Sequence, residues 1–111
     1  MIKRGEIYWV NLDPTVGSEI QKTRPAMVVS NDINNVHAQT VTILPLTTNV
    51  ERVYSFETLV KPGAYGNKEA GKIKAYQIRT VDKRRLGRVI GMLPHDLISR
   101  VEDALRIHLG L

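Results

Sequence analysis

Two hydrophobic periods share this chain, and the point where one replaces the other constrains the fold more than any other feature. Ahead of Pro94, apolar and β-branched residues come in short runs that turn formers cut off. Glu6 to Leu12 closes on Asp13-Pro14, Arg24 to Ser30 on Asn31-Asp32, and Thr40 to Leu46 on Thr47-Thr48-Asn49. Tyr54 to Val60 alternates apolar and polar residues, and Lys72 to Tyr76 does so in part. From Pro94 onward the spacing becomes three and four: Leu97, Ile98, Val101, Ala104, Leu105, His108 and Leu109 share one helical face, opposite Ser99, Arg100, Glu102, Asp103 and Arg106. The first pattern predicts a small antiparallel sheet or barrel. The second predicts an amphipathic helix of about four turns, needed to cover an open side of that sheet. The expected class is mainly β (α+β), with Tyr8 and Trp9 of the first strand in the core.

A chain of 111 residues without internal repeat or linker reads as one domain, 1–111. It is long enough to bury roughly two-thirds of its unfolded surface. The absence of cysteine removes thiol catalysis, disulfides and thiolate metal sites. No apolar run reaches membrane-spanning length, and the first residues carry no apolar stretch after Lys3-Arg4, so the expectation is a soluble cytoplasmic protein.

Charge is unevenly placed. Residues 1–60 hold five cations and six anions, whereas 61–111 hold eleven and five. Within Lys72 to Arg88, the cations Lys72, Lys74, Arg79, Lys83, Arg84, Arg85 and Arg88 face the single acid Asp82. Such a field attracts polyanions, nucleic acid among them, and equally describes a solvated surface segment.

The familiar phosphate, dinucleotide and zinc-protease motifs are missing. The four residues Gly63-Ala-Tyr-Gly66 read as a turn rather than an RNA-binding loop. His37, His95 and His108 are scattered and specify no acid–base pair. The connection Asp13 to Lys22 is longer than a hairpin needs, as a binding loop or a floppy one would be. What remains is Arg24 at the start of one predicted strand and Thr47-Thr48 at the end of another. If those strands are antiparallel neighbours, a guanidinium and two hydroxyls share one edge and suit a phosphodiester. The residues alone favour the plainer alternative, an Arg paired with Glu19 or Asp32 and a Thr capping a turn.

Four ordered blocks carry a resemblance: Arg4 to Glu19, Thr23-Arg-Pro-Ala-Met-Val-Val-Ser-Asn31, Leu44-Pro-Leu-Thr-Thr48, and Gln77-Ile-Arg-Thr-Val-Asp82. Together they resemble the MazF/PemK (Kid-like) family of toxin endoribonucleases of type II toxin–antitoxin systems. The resemblance implies a small SH3-like antiparallel barrel of the MazF/PemK/CcdB type with a C-terminal amphipathic helix, assembled as a homodimer. It implies cleavage of single-stranded RNA without metal or other cofactor, with messenger, ribosomal and transfer RNA as candidate targets, and inhibition by an acidic MazE-like antitoxin. Arg24 and Thr47 match the family's catalytic arginine and threonine. Glu19, Thr48 and Gln77 fall in blocks that line the RNA groove.

Three positions depart from the Kid-like pattern, where a loop histidine and an Arg-x-Asp stand: here they read Ser18, Lys74 and Tyr76. An acid–base pair on that Asp is not available, which leaves the Arg-plus-Thr arrangement. The expected RNA contacts are Ser18, Glu19, Thr48, Lys74, Tyr76, Gln77, Arg79 and Arg84, with Tyr76 equally placed for base stacking or for burial. The rival readings are a CcdB-like gyrase poison and a non-catalytic RNA-binding module. The chain ends Leu109-Gly-Leu111 rather than in the Trp-Gly-Ile on which CcdB-type poisoning depends.

Overall fold

The computed structural model describes residues Met1–Leu111. Seven strands form one antiparallel sheet: β1 (Glu6–Asn11), β2 (Thr23–Val28), β3 (Thr40–Thr47), β4 (Glu57–Val60), β5 (Gly71–Lys74), β6 (Arg79–Asp82) and β7 (Leu86–Met92). The order is β4-β5-β3-β2-β1-β7. The eight-residue β3 is the hinge of the design, because its first half pairs with β6 and its last two residues pair with β5. One strand serving two partners on the same side bends the sheet around itself.

Both faces of the central strands are buried, so these strands read as nearly continuous apolar runs. Ile7, Met27, Leu44, Leu46, Val60 and Ile73 lie on one side. Helix α2 (His95–Leu109) packs Leu97, Val101 and Ala104 against them. The alternate residues Tyr8, Val10, Ala26, Val28, Val41 and Ile43 form a second cluster with Leu12 and Val81. Pro94 starts α2, and Gly110 ends it in the left-handed conformation that glycine adopts without steric cost.

Several expectations are corrected. The buried stripe of α2 stops at Ala104 and Leu105, and His108 and Leu109 are exposed because the core this helix joins has no residue beyond that point. Trp9 is 37% exposed rather than in the core. It shares the Ile7 face but lies past the reach of α2, in a hollow with Pro25, Tyr65 and Ile90. The fourth strand starts at Glu57, not Tyr54, and the fifth ends at Lys74, where Ala75–Gln77 turns into a 3-10 helix. A short helix α1 (Asp32–His37) stands where only a turn was expected, capped by Asn31, whose side chain accepts from Asn34 N at 2.9 Å.

Candidate active site

Strands β2 and β3 are antiparallel neighbours, in the register Ala26↔Pro45. Carried two residues outward, that register sets Arg24 opposite Thr47. Opposed residues share a face, so both side chains sit at the rim of the second core cluster, two positions beyond Ala26 and Pro45. The Arg24 Nε donates to the Gln21 carbonyl at 3.3 Å. Its terminal nitrogens meet no carboxylate, since the ion pairs of the molecule are Arg4–Glu102, Lys72–Glu57, Arg84–Asp82 and Arg106–Asp103. The plainer reading therefore holds for only one of the two residues. Thr47 does cap a turn, its hydroxyl accepting from Asn49 N at 3.3 Å. Arg24 pairs with neither Glu19 nor Asp32. Asp32 is engaged elsewhere, and the Arg4 backbone N–H, 2.8 Å away, holds its carboxyl below the usual range.

Beside this rim the loop after β1 arches over a cavity of about 410 Å³, lined by Leu12, Val16, Ser18, Glu19, Ile20, Pro45, Tyr76, Gln77, Ile78 and Arg79. Five of the expected RNA contacts, Ser18, Glu19, Tyr76, Gln77 and Arg79, thus converge. Pro45 belongs to the cavity wall and Thr47 follows it on the same face, which makes rim and cavity continuous.

The loop itself is tied down. Its base closes through Leu12 N to Lys22 O at 2.9 Å. Gln77 bridges its far side, accepting from Ile20 N at 2.8 Å and donating to Ser18 O at 3.3 Å. Arg79 donates to Leu12 O at 2.7 Å, and Arg85 donates to Asn11 O at 3.1 Å and to Asp13 O. Glu19 folds back on its own turn, accepting from Val16 N at 2.6 Å. The role of Arg85 had no sequence signal beyond its charge, because its partners lie more than seventy residues away.

The remaining expected residues lie apart from this cluster. Thr48 faces the other side of the sheet, in the hollow with Trp9, Tyr65 and Lys68. Lys74 is half-buried with its ammonium 5.5 Å from the Tyr76 ring centre. Arg84 sits on the β6–β7 turn and pairs with Asp82 at 3.1 Å. The Arg84 backbone N–H and guanidinium hold the Asp82 carboxyl below its usual range, and Asp82 raises the guanidinium in turn. Lys72, counted with the basic segment, is buried against Glu57. Nowhere do three or more His, Cys, Asp or Glu side chains converge.

Residues 3–109 match the PemK-like, MazF-like toxins of type II toxin–antitoxin systems. The chain belongs to that family. Endoribonuclease MazF9 of Mycobacterium tuberculosis is 40% identical over 116 residues, taking in 100% of this chain and 98% of that protein. Endoribonuclease EndoA of Bacillus subtilis is 36% identical over 113 residues, taking in 100% of this chain and 97% of that protein. A solved mycobacterial endoribonuclease in complex with its cognate antitoxin matches with a TM-score of 0.83 at 26% identity, over 100% of this chain and 97% of that one. The bent sheet with its C-terminal helix is accordingly the SH3-like barrel of MazF-like toxins.

Proposed function

We propose that this MazF-like toxin is an endoribonuclease that cuts single-stranded RNA at short sequence motifs, with Arg24 and Thr47 as its catalytic residues. The observation that supports the reading is an arginine with no acidic partner on β2, whose register with β3 runs outward from Ala26↔Pro45 toward Thr47, beside a loop-covered cavity whose wall includes Pro45. Relatives named as endoribonucleases favour cutting over a binding-only or gyrase-directed role.

The chemistry follows from the groups present. Attack of the ribose 2′-hydroxyl on the adjacent phosphorus leaves a 2′,3′-cyclic phosphate and a 5′-hydroxyl. The attacking hydroxyl gives up its proton and the departing oxygen gains one, while negative charge builds on the phosphoryl oxygens. Arg24 meets that charge with a fork of donors matched to two oxygens. Thr47 already accepts from Asn49 N, so its own O–H remains to position the phosphate. Ser18, Glu19, Tyr76, Gln77 and Arg79 present the cavity wall to bases, and Lys74 and Arg84 contact RNA further out. Messenger, ribosomal and transfer RNA are all candidate substrates, and the protein acts in the cytoplasm as a homodimer.

The control partner is an acidic, MazE-like antitoxin. The excess of cations in residues 61–111 suits a polyanionic peptide as it suits RNA.

Incubation with a long RNA of defined sequence in EDTA, followed by mapping of the new ends and their chemistry, tests the reading. We expect cuts at one short motif with 2′,3′-cyclic phosphate and 5′-hydroxyl ends. RNA left intact by antitoxin-free protein overturns the reading.

A further inference from the structure

The molecule holds one ion pair whose two side chains are both buried, Lys72 Nζ to Glu57 Oε1 at 3.1 Å. Taking two charges out of water is costly, and their attraction offsets that cost only when the remaining polar atoms are also satisfied. Here those atoms are satisfied by a loop. Lys72 Nζ also donates to the Arg52 carbonyl at 2.5 Å, and Glu57 Oε1 accepts from Tyr54 N at 3.0 Å. Both charges therefore spend their hydrogen bonds on the segment 48–56, which springs from Thr47 at the end of β3 and returns at Glu57 at the start of β4.

The register ties this clamp to the site. Lys72 is paired with Thr47 across β3 and β5, so one residue both neighbours the proposed catalytic threonine and fixes the loop that follows it. The shape of that loop is passed on through aromatic rings. Tyr54 stacks on Phe56 with centroids 5.2 Å apart and planes 2° from parallel. Phe56 meets Tyr76 edge to face at 5.1 Å, and Tyr76 is part of the cavity wall. Moving the loop moves the ring that buttresses Tyr76.

We propose that Lys72 and Glu57 are positioning residues for RNA selection, a buried clamp that sets loop 48–56 and, through Phe56, the Tyr76 wall of the cavity. The proposal rests on the ribonuclease reading, and it removes Lys72 from the cations available to RNA.

The test uses the double variant Lys72→Met/Glu57→Leu, because exchanging a buried ion pair for apolar residues of similar size often leaves stability intact. Three quantities are read on the full chain: the melting temperature, hydrogen exchange at the Tyr54 amide, and kcat, KM and motif selectivity on RNA oligonucleotides. The expected result is a melting temperature near wild type, with faster exchange at Tyr54. KM rises and selectivity relaxes, for a loss of roughly tenfold to a hundredfold in kcat/KM, the scale on which misplaced contacts act. Glu57→Gln, which keeps an oxygen for Tyr54 N, should recover most of that loss. If the double variant melts far below wild type, the same readouts on Lys72→Met/Glu57→Gln, which buries no unpaired charge and keeps an oxygen for Tyr54 N, decide the matter, the loss of the Lys72 tie to the Arg52 carbonyl being expected to relax selectivity. Wild-type exchange at Tyr54, or unchanged KM and selectivity, overturns the clamp while leaving the ribonuclease reading standing. Wild-type protein that neither cuts nor binds RNA overturns that reading, and the clamp's assignment to RNA with it.

Discussion

The two faces of the sheet are closed by different means. On one, α2 lays Leu97, Val101 and Ala104 over an apolar core. On the other, the loop after β1 is held above its core by Gln77, Arg79 and Arg85 through backbone hydrogen bonds. An apolar lid gains stability from every contact it makes. A lid tied by polar side chains keeps its shape while sparing a cavity of about 410 Å³ lined by Ser18, Glu19, Pro45, Tyr76, Gln77 and Arg79. The difference assigns stability to the helix side and chemistry to the loop side, and several measurements can break that division.

The largest expected effect on stability lies under the helix. Leu97→Ala should cost about 2–5 kcal/mol in denaturant unfolding, as cavity-creating core truncations do, with the cut motif unchanged. Gln77→Ala removes two ties and leaves Ile20 N unpaired, so it should cost only about 1–2 kcal/mol. Its consequence should fall on function, as relaxed motif selectivity in mapped cuts. Equal losses of selectivity in both variants would erase the contrast.

Two titrations sharpen it further. Burial, and then the Glu6 carboxylate that its hydroxyl meets at 3.0 Å, push the Tyr8 phenol up to about 12. A raised phenol stabilises the fold below its unfolded value of 10, and that contribution is lost as pH climbs from 10 to about 12. Tyr8→Phe should therefore show a shallower fall of stability over that interval, measured by chemical denaturation at stepped pH. Asp82 is lowered by Arg84, so its contribution is present above the unfolded value of 3.8 and fades as pH drops below it. Asp82 is exposed, and Asp82→Asn should flatten the acid limb only slightly.

How much of this was legible in the sequence follows from the range of the forces involved. Helix α2 and strands β1 to β3 announce themselves because their apolar spacing is local. Strands β6 and β7 carry no clear local signal: their exposed positions hold Thr80, Arg88 and Val89 in no clean alternation, and pairing with distant strands makes them strands. Trp9 looked like core because spacing tells which face a residue takes, not how far the covering helix extends. The placing of Arg24 and Thr47 toward one edge follows once β2 and β3 are taken as antiparallel neighbours, as their pairing bears out. The ties on the loop were not, since Gln77 and Arg79 act across 57 and 67 residues. Lys72 passed for a surface cation because its burial depends on Glu57 and on a loop whose path no local pattern fixes.

The most direct test of the division is the single-turnover rate of RNA cleavage by Arg24→Ala beside that of Thr48→Ala, the second residue lying on the opposite face. With both variants melting near wild type, Arg24→Ala should lose about 10²–10³ in rate, the usual cost of removing one preorganised donor to developing charge, while Thr48→Ala stays within tenfold. An Arg24→Ala protein that cuts within tenfold of wild type, or a Thr48→Ala protein that loses as much as Arg24→Ala, would contradict the account.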